Sequence, residues 1–148
     1  MSLSTEIAAF VQAVADGMGV SLNAEVEETP EATRINLTGE DGGVFIRNGG
    51  DGLQALQHVV ATAFRRRLGA DQRIVVDCNG FRREKDAELS QMARFLAEKA
   101  RATGGPQEIG PLNPYERRIV HLALSEDPSA SSESVGDAFM KTVVITAT

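Results

Sequence analysis

Two side chains four residues apart, Arg117 and His121, form the pair in this chain best suited to chemistry. That spacing places both on one side of a helix, where an obligate cation beside an imidazole can clamp an anion, a phosphate above all. It also suits a solvated arginine next to a histidine that merely packs. Within Asn113-Pro114-Tyr115-Glu116-Arg117-Arg118-Ile119-Val120-His121-Leu122-Ala123-Leu124, a wheel of about 100° per residue groups Tyr115, Ile119, Leu122 and Ala123 as the core side. Arg117 and His121 then fall nearly opposite, on an exposed face. Asn113 is a natural N-cap, Pro114 fits the first helical position and Glu116 completes a capping box, so the helix runs from Pro114 to about Leu124.

A second constellation is the glycine-dense stretch Gly39 to Gly52, which opens onto a helix N-terminus. Free backbone N–H groups and the helix dipole attract anions there, and glycines at Gly49 and Gly50 allow close approach. No Gly-Lys-Ser/Thr follows, and the spacing does not give a dinucleotide fingerprint. The alternative is a connecting loop whose glycines only serve its turns. The third is the basic run Arg65-Arg66-Arg67, continued by Arg73, Arg82, Arg83 and Lys85. It either solvates helix ends or, through Arg73, Arg82 and Arg83 at the two ends of one strand, forms a patch. No nucleophile, metal set or second acid/base lies at a fixed spacing to Arg117 and His121, which argues against an enzyme. One Cys and two His are too few for a Cys/His zinc site, and neither metal nor cofactor is expected.

The elements that must carry these residues are legible as periodicities. Ile7, Phe10, Val11 and Val14 make a helical stripe from Ser4 that ends at Gly17-Met18-Gly19, and residues 21–27 and 33–38 alternate as a hairpin with one wet face. Leu53, Leu56, Val60, Ala63, Phe64 and Arg67 share a helical face, Arg73–Cys78 reads as a buried strand, and a long helix runs from about Arg82 to Ala102. Residues 126–137 read as a Ser/Asp-rich loop before a final strand, Lys141–Ile145.

With 148 residues and 42% apolar content the chain can bury a core, which excludes global disorder. Its 15 Lys+Arg against 21 Asp+Glu give −6, which excludes a polybasic binder held by bulk attraction. The charge is uneven: residues 1–60 hold two basic and nine acidic side chains, residues 61–102 ten and six, residues 103–148 three and six. Basic charge is therefore concentrated in the middle. Neither a signal peptide nor an apolar run near eighteen residues is present, and a single Cys fits a reducing compartment, so a cytoplasmic protein without membrane insertion is expected.

Gly80-Phe81-Arg82-Arg83-Glu84-Lys85, the segment Leu112–Leu124 and Lys141-Thr142-Val143-Val144-Ile145 together resemble the bacterial Jag (SpoIIIJ-associated, KhpB) proteins, over about residues 5–147. The resemblance implies an α+β chain: a prokaryotic-type (type II) KH domain of order α-β-β-α-α-β over residues 1–79, with Gly42 to Ile46 as its short helix, then a small α/β Arg-xxx-His domain over residues 80–148. It also implies a non-catalytic cytoplasmic binder of single-stranded RNA, in preference to DNA, with links to cell envelope growth and a separate single-KH-domain protein as a candidate partner. The family's extra N-terminal Jag domain has no counterpart in this sequence. Arg117 and His121 would hold phosphate or base, with Arg118, Tyr115, Arg82, Arg83 and Lys141 adding contacts and Arg47, Gly49 and Gly50 supplied by the glycine loop. That loop, residues 47–52, is degenerate: Arg47 stands where the first motif glycine belongs, and Asp51 would sit beside any phosphate. The last strand has Met140-Lys141-Thr142 where the family tends to arginines. A second possibility is a protein-interaction module whose KH loop has lost RNA.

Overall fold

The computed structural model describes residues 2–148, which divide into two compact units, one up to Arg83 and one from Glu84 to Thr148. The first contains α1 (Leu3–Gly17), β1 (Asn23–Glu28), β2 (Thr33–Thr38), a 3-10 turn (Glu40–Gly42), α2 (Gly43–Ala63) and β3 (Ile74–Cys78). The sheet order is β1-β2-β3, with β1 antiparallel and β3 parallel to β2. Ile7, Val11 and Ala15 of α1 and Leu53, Leu56 and Val60 of α2 bury their stripes against Ile35, Leu37, Val76 and Cys78. Both outer sheet edges are closed by a glutamine amide. Gln12 of α1 donates to the Leu22 carbonyl and accepts from Ala24 N–H, at 2.7 and 2.9 Å, and Gln57 of α2 does the same for Ile74 and Val76, at 2.7 Å each. Each amide acts as one residue of a missing strand and blunts an edge that would otherwise invite pairing.

α2 is broken. Arg47 is extended and Asn48, Gly49 and Gly50 are left-handed, with φ of 56°, 74° and 89°, so a short segment up to Ile46 and a longer one from Asp51 point in different directions. Gly50 is required twice over: its φ disfavours an L side chain, and a Cβ there would lie 2.7 Å from the Phe81 ring.

α3 (Phe81–Thr103) starts on the buried carboxylate of Asp77, which accepts from Cys78, Arg82 and Arg83 backbone N–H groups and pairs with Arg34 at 3.0 Å. These bonds hold residues 81–83 to the first unit, so the division falls after Arg83.

The second unit contains the rest of α3, β4 (Gln107–Leu112), α4 (Pro114–Leu124), β5 (Ala130–Val135) and β6 (Lys141–Ala147). Its antiparallel sheet has the order β4-β6-β5. Ala93 and Ala97 of α3 and Val120 and Leu124 of α4 pack on Ile109, Leu112, Val143 and Ile145. Alanines let α3 lie close to its neighbours. The loop expected over residues 126–137 is corrected: Ala130–Val135 pair along their whole length with β6. A segment Ala-Ser-Ser-Glu-Ser-Val carries little intrinsic strand signal, and pairing with an apolar neighbour makes it a strand.

The Asp77 network generates a prediction. Truncating one member of a buried, hydrogen-bonded ion pair strands the other charge and costs about 3–5 kcal/mol. Asp77→Ala is expected to lower the unfolding free energy in urea by that amount, whereas Arg66→Ala, at an exposed site, leaves it within about 0.5 kcal/mol.

Candidate nucleic-acid interface

α4 begins as its sequence dictates. Asn113 Oδ1 accepts from Glu116 N–H at 2.8 Å while Glu116 Oε1 accepts from Asn113 N–H at 2.9 Å, a complete capping box with Pro114 in the first turn. Its orientation corrects the sequence-based one. Val120 and Leu124 are the buried residues, Tyr115, Ile119 and Ala123 are half-buried, and Leu122 is 45% exposed. The helix is rotated by about a third of a turn from the orientation inferred from its apolar residues. Arg117 and His121 therefore flank the buried stripe, half-covered, and do not stand on a free face. The physical reason is that two apolar stripes compete on this helix, and the one holding Val120 and Leu124 meets the aliphatic face of β4 and β6.

Half-burial gives both side chains partners. Arg117 Nη1 donates to the carbonyls of Leu112 and Phe139, each at 2.8 Å, tying the end of β4 to the turn before β6. Its Nε and Nη2 have no partner among the described residues and are not buried, so one edge of the guanidinium is anchored and the other is available. His121 lies between two hydroxyls of β5, Nδ1 2.6 Å from Ser132 Oγ and Nε2 3.1 Å from Ser134 Oγ. One hydroxyl donates to the bare ring nitrogen and the other accepts from the ring N–H. Burial, and secondarily the Arg117 cation, push the imidazole below its ordinary value, so it is neutral at pH 7. His121 thereby links α4 to β5 through both of its ring nitrogens.

Arg118 is exposed and Lys141 half-exposed, neither with a hydrogen-bond or ion-pair partner among the described residues. Tyr115 donates its hydroxyl to Asp86 of α3. The other residues singled out from sequence, Arg47, Gly49, Gly50, Arg82 and Arg83, belong to the first unit. Arg82 and Arg83 are engaged there: Arg82 Nε donates to the Val76 carbonyl at 3.1 Å, and Arg83 pairs with Glu27. Arg47 and Gly49 are exposed at the break in α2, Gly50 is buried, and Asp51 follows at the start of the longer helical segment. Ser132, Ser134 and Phe139 join the site without having stood out in the sequence. The serines' alternate spacing was a signal that both could face one partner; Phe139, a lone aromatic in a turn, offered none. Among the described residues no group of three or more His, Cys, Asp or Glu side chains could hold a metal ion, and no helix is long and apolar enough to cross a membrane.

Residues 87–147 match the Arg-xxx-His (R-3-H) domain family, so a chain of mixed α and β structure carries, in its second unit, the domain defined by an arginine and a histidine at this spacing. Among curated proteins the chain is similar to the RNA-binding protein KhpB of Clostridium symbiosum, 31% identical over 138 residues, covering 92% of this chain and 62% of that protein. The RNA-binding protein KhpB of Bacillus subtilis is 28% identical over 116 residues, covering 78% and 56%. That of Streptococcus pneumoniae strain D39 is 24% identical over 143 residues, covering 97% and 44%. With the match to the Arg-xxx-His domain, these homologues support the Jag/KhpB family. The chain spans roughly half of each relative's length, between 44% and 62%.

The half-buried histidine makes a pH prediction. Its folded value lies below the unfolded 6.5, so at pH just under 6.5 the unfolded chain binds more protons, and stability present above 6.5 is lost as pH falls through the folded value. Urea unfolding of the wild type is expected to weaken across that window. The His121→Gln variant, which cannot titrate, is expected to lack that component, and identical pH slopes for the two proteins would show that the imidazole is not held neutral.

Proposed function

We propose that this chain is a non-catalytic, cytoplasmic binder of single-stranded RNA, its contacts centred in the second unit on the free edge of Arg117 together with Arg118 and Lys141. The observation that carries this reading is the half-anchored guanidinium: Nη1 is fixed by two carbonyls while Nε and Nη2 remain available, and Arg118 and Lys141 add two cations with no partner among the described residues. A guanidinium whose position is fixed by the protein loses little freedom when it meets a phosphate. The name RNA-binding protein borne by the relatives supports the ligand class. His121 acts in this reading through Ser132 and Ser134, as a support for the face.

For the first unit the reading is a KH-like domain of prokaryotic type, supported by its α-β-β order, the broken α2 and a parallel third strand. A specific observation favours a different role for its loop. Asp51 opens the longer segment of α2, where a carboxylate satisfies the positive end of the helix dipole and repels phosphate. This unit is better suited to a protein, and a separate single-KH-domain protein is the partner that the family resemblance suggests.

The test is fluorescence anisotropy with a labelled single-stranded RNA of about 12 nucleotides across a salt series. Arg118→Ala combined with Lys141→Ala is expected to weaken binding about tenfold and to reduce the slope of log K against log salt by about 0.7 for each phosphate no longer neutralised. Unchanged affinity and slope would sink the assignment of this face. Asp51→Asn is expected to leave RNA affinity as it was; a gain would bring the loop back onto the RNA.

A further inference from the structure

Phe139 is 67% exposed and its neighbour Met140 44% exposed, in the turn between β5 and β6. Exposed phenyl rings are common, but the backbone that carries this one is tied down. The backbone carbonyl of Phe139 is held by Arg117 Nη1 at 2.8 Å, and the aliphatic stem of Lys141 lies over Gly136 at the other side of the turn, its Cγ 3.6 Å from where a Cβ at Gly136 would be. Gly136 has a φ of 130°, which the turn requires. An exposed ring on a turn whose backbone carbonyl is held by one cation and which leads into a second, unpartnered cation combines the elements that recognise an unpaired nucleotide: a π-face for the base and donors for the adjoining phosphate. Asp137 is the one acid of the turn, leaving a net positive balance with Arg117 and Lys141.

We infer that Phe139 is a stacking platform for an unpaired base, with Arg117 Nε/Nη2 and Lys141 taking the phosphate beside it. This rests on the single-stranded RNA reading above and adds to it a residue and a mode of contact, base stacking at the turn before β6. The other exposed aromatic of this unit, Phe95 on α3, is 64% exposed, but its carbonyl belongs to the helix and its i−3 neighbour is the exposed Met92, so it serves as the internal control.

The chain has no tryptophan, so Phe139→Trp introduces its only indole. With single-stranded RNA of about 12 nucleotides, that variant is expected to keep wild-type affinity and to show quenched emission on binding, the signature of stacking. Phe139→Ala is expected to weaken binding about tenfold with the salt slope unchanged, because the variant removes a stacking surface and leaves every phosphate-binding cation in place. Phe95→Ala is expected to bind as the wild type does, and a duplex of the same sequence to bind more weakly than the single strand. Thermal melts of the variants matching the wild type establish that folding is intact. If wild type binds RNA and Arg118→Ala with Lys141→Ala weakens it, while Phe139→Ala does not, the stacking role is overturned and the RNA reading stands. An indole emission that RNA leaves unchanged would also overturn it, as would a loss confined to binding the single-KH-domain protein. If the wild type binds no single-stranded RNA at low salt, the broader reading fails with it.

Discussion

The second unit depends on one nitrogen. Every backbone carbonyl that leaves a sheet without a strand partner needs a donor from elsewhere, and Leu112 O, where β4 gives way to α4, and Phe139 O, in the turn before β6, are both supplied by Arg117 Nη1. A single guanidinium thus fixes the exit of one strand and the entry of another. The rest of the face follows from that attachment. It fits the way α4 is turned by its packing on the sheet, in which His121, one helical turn on, meets the two serines of the edge strand. It leaves Nε and Nη2 of the same side chain without a partner among the described residues. Arginine suits this position because its planar head offers donors on separate nitrogens; a lysine in its place would bring one point charge to the same task.

Asp77 plays the corresponding part in the first unit. A carboxylate at the end of β3 receives three backbone N–H groups and Arg34, and so dictates where α3 starts. Placing it there removes Arg82 and Arg83 from the free basic surface, although they are prominent in the sequence. The two glutamines on the sheet edges act in the same spirit: each replaces a missing strand with a primary amide, leaving the small sheet closed where Ala24 and Val76 would otherwise offer free N–H groups.

The overall charge of −6 is compatible with an anionic ligand because of how it is distributed. Much of the acidic excess lies in the first sixty residues, and several of its carboxylates are already committed to Arg67, Arg83 or backbone groups. The cations without internal partners on the candidate face are few, which fits binding that is modest in strength and sensitive to salt.

What the sequence determined by itself was whatever depends on neighbours a few residues apart. The stripes of α1 and α2, the hairpin, the glycine break at Arg47–Gly50 and the capping box at Asn113 are set by local spacing and by backbone preferences that hold in any context. The Arg117 and His121 pair was legible for the same reason. Which way α4 faces was not, because two apolar stripes of similar strength lie on it, and only the shape of the sheet beneath could choose between Leu122 and Val120. β5 was hidden because serine carries no preference for a strand, so the segment becomes one only by pairing with β6. Phe139 comes from a segment distant from Arg117 in sequence, and the fold brings its carbonyl to the guanidinium. Tertiary packing alone decided that the arginine would be half anchor and half open edge, since a side chain's free donors are known only after the carbonyls around it are in place.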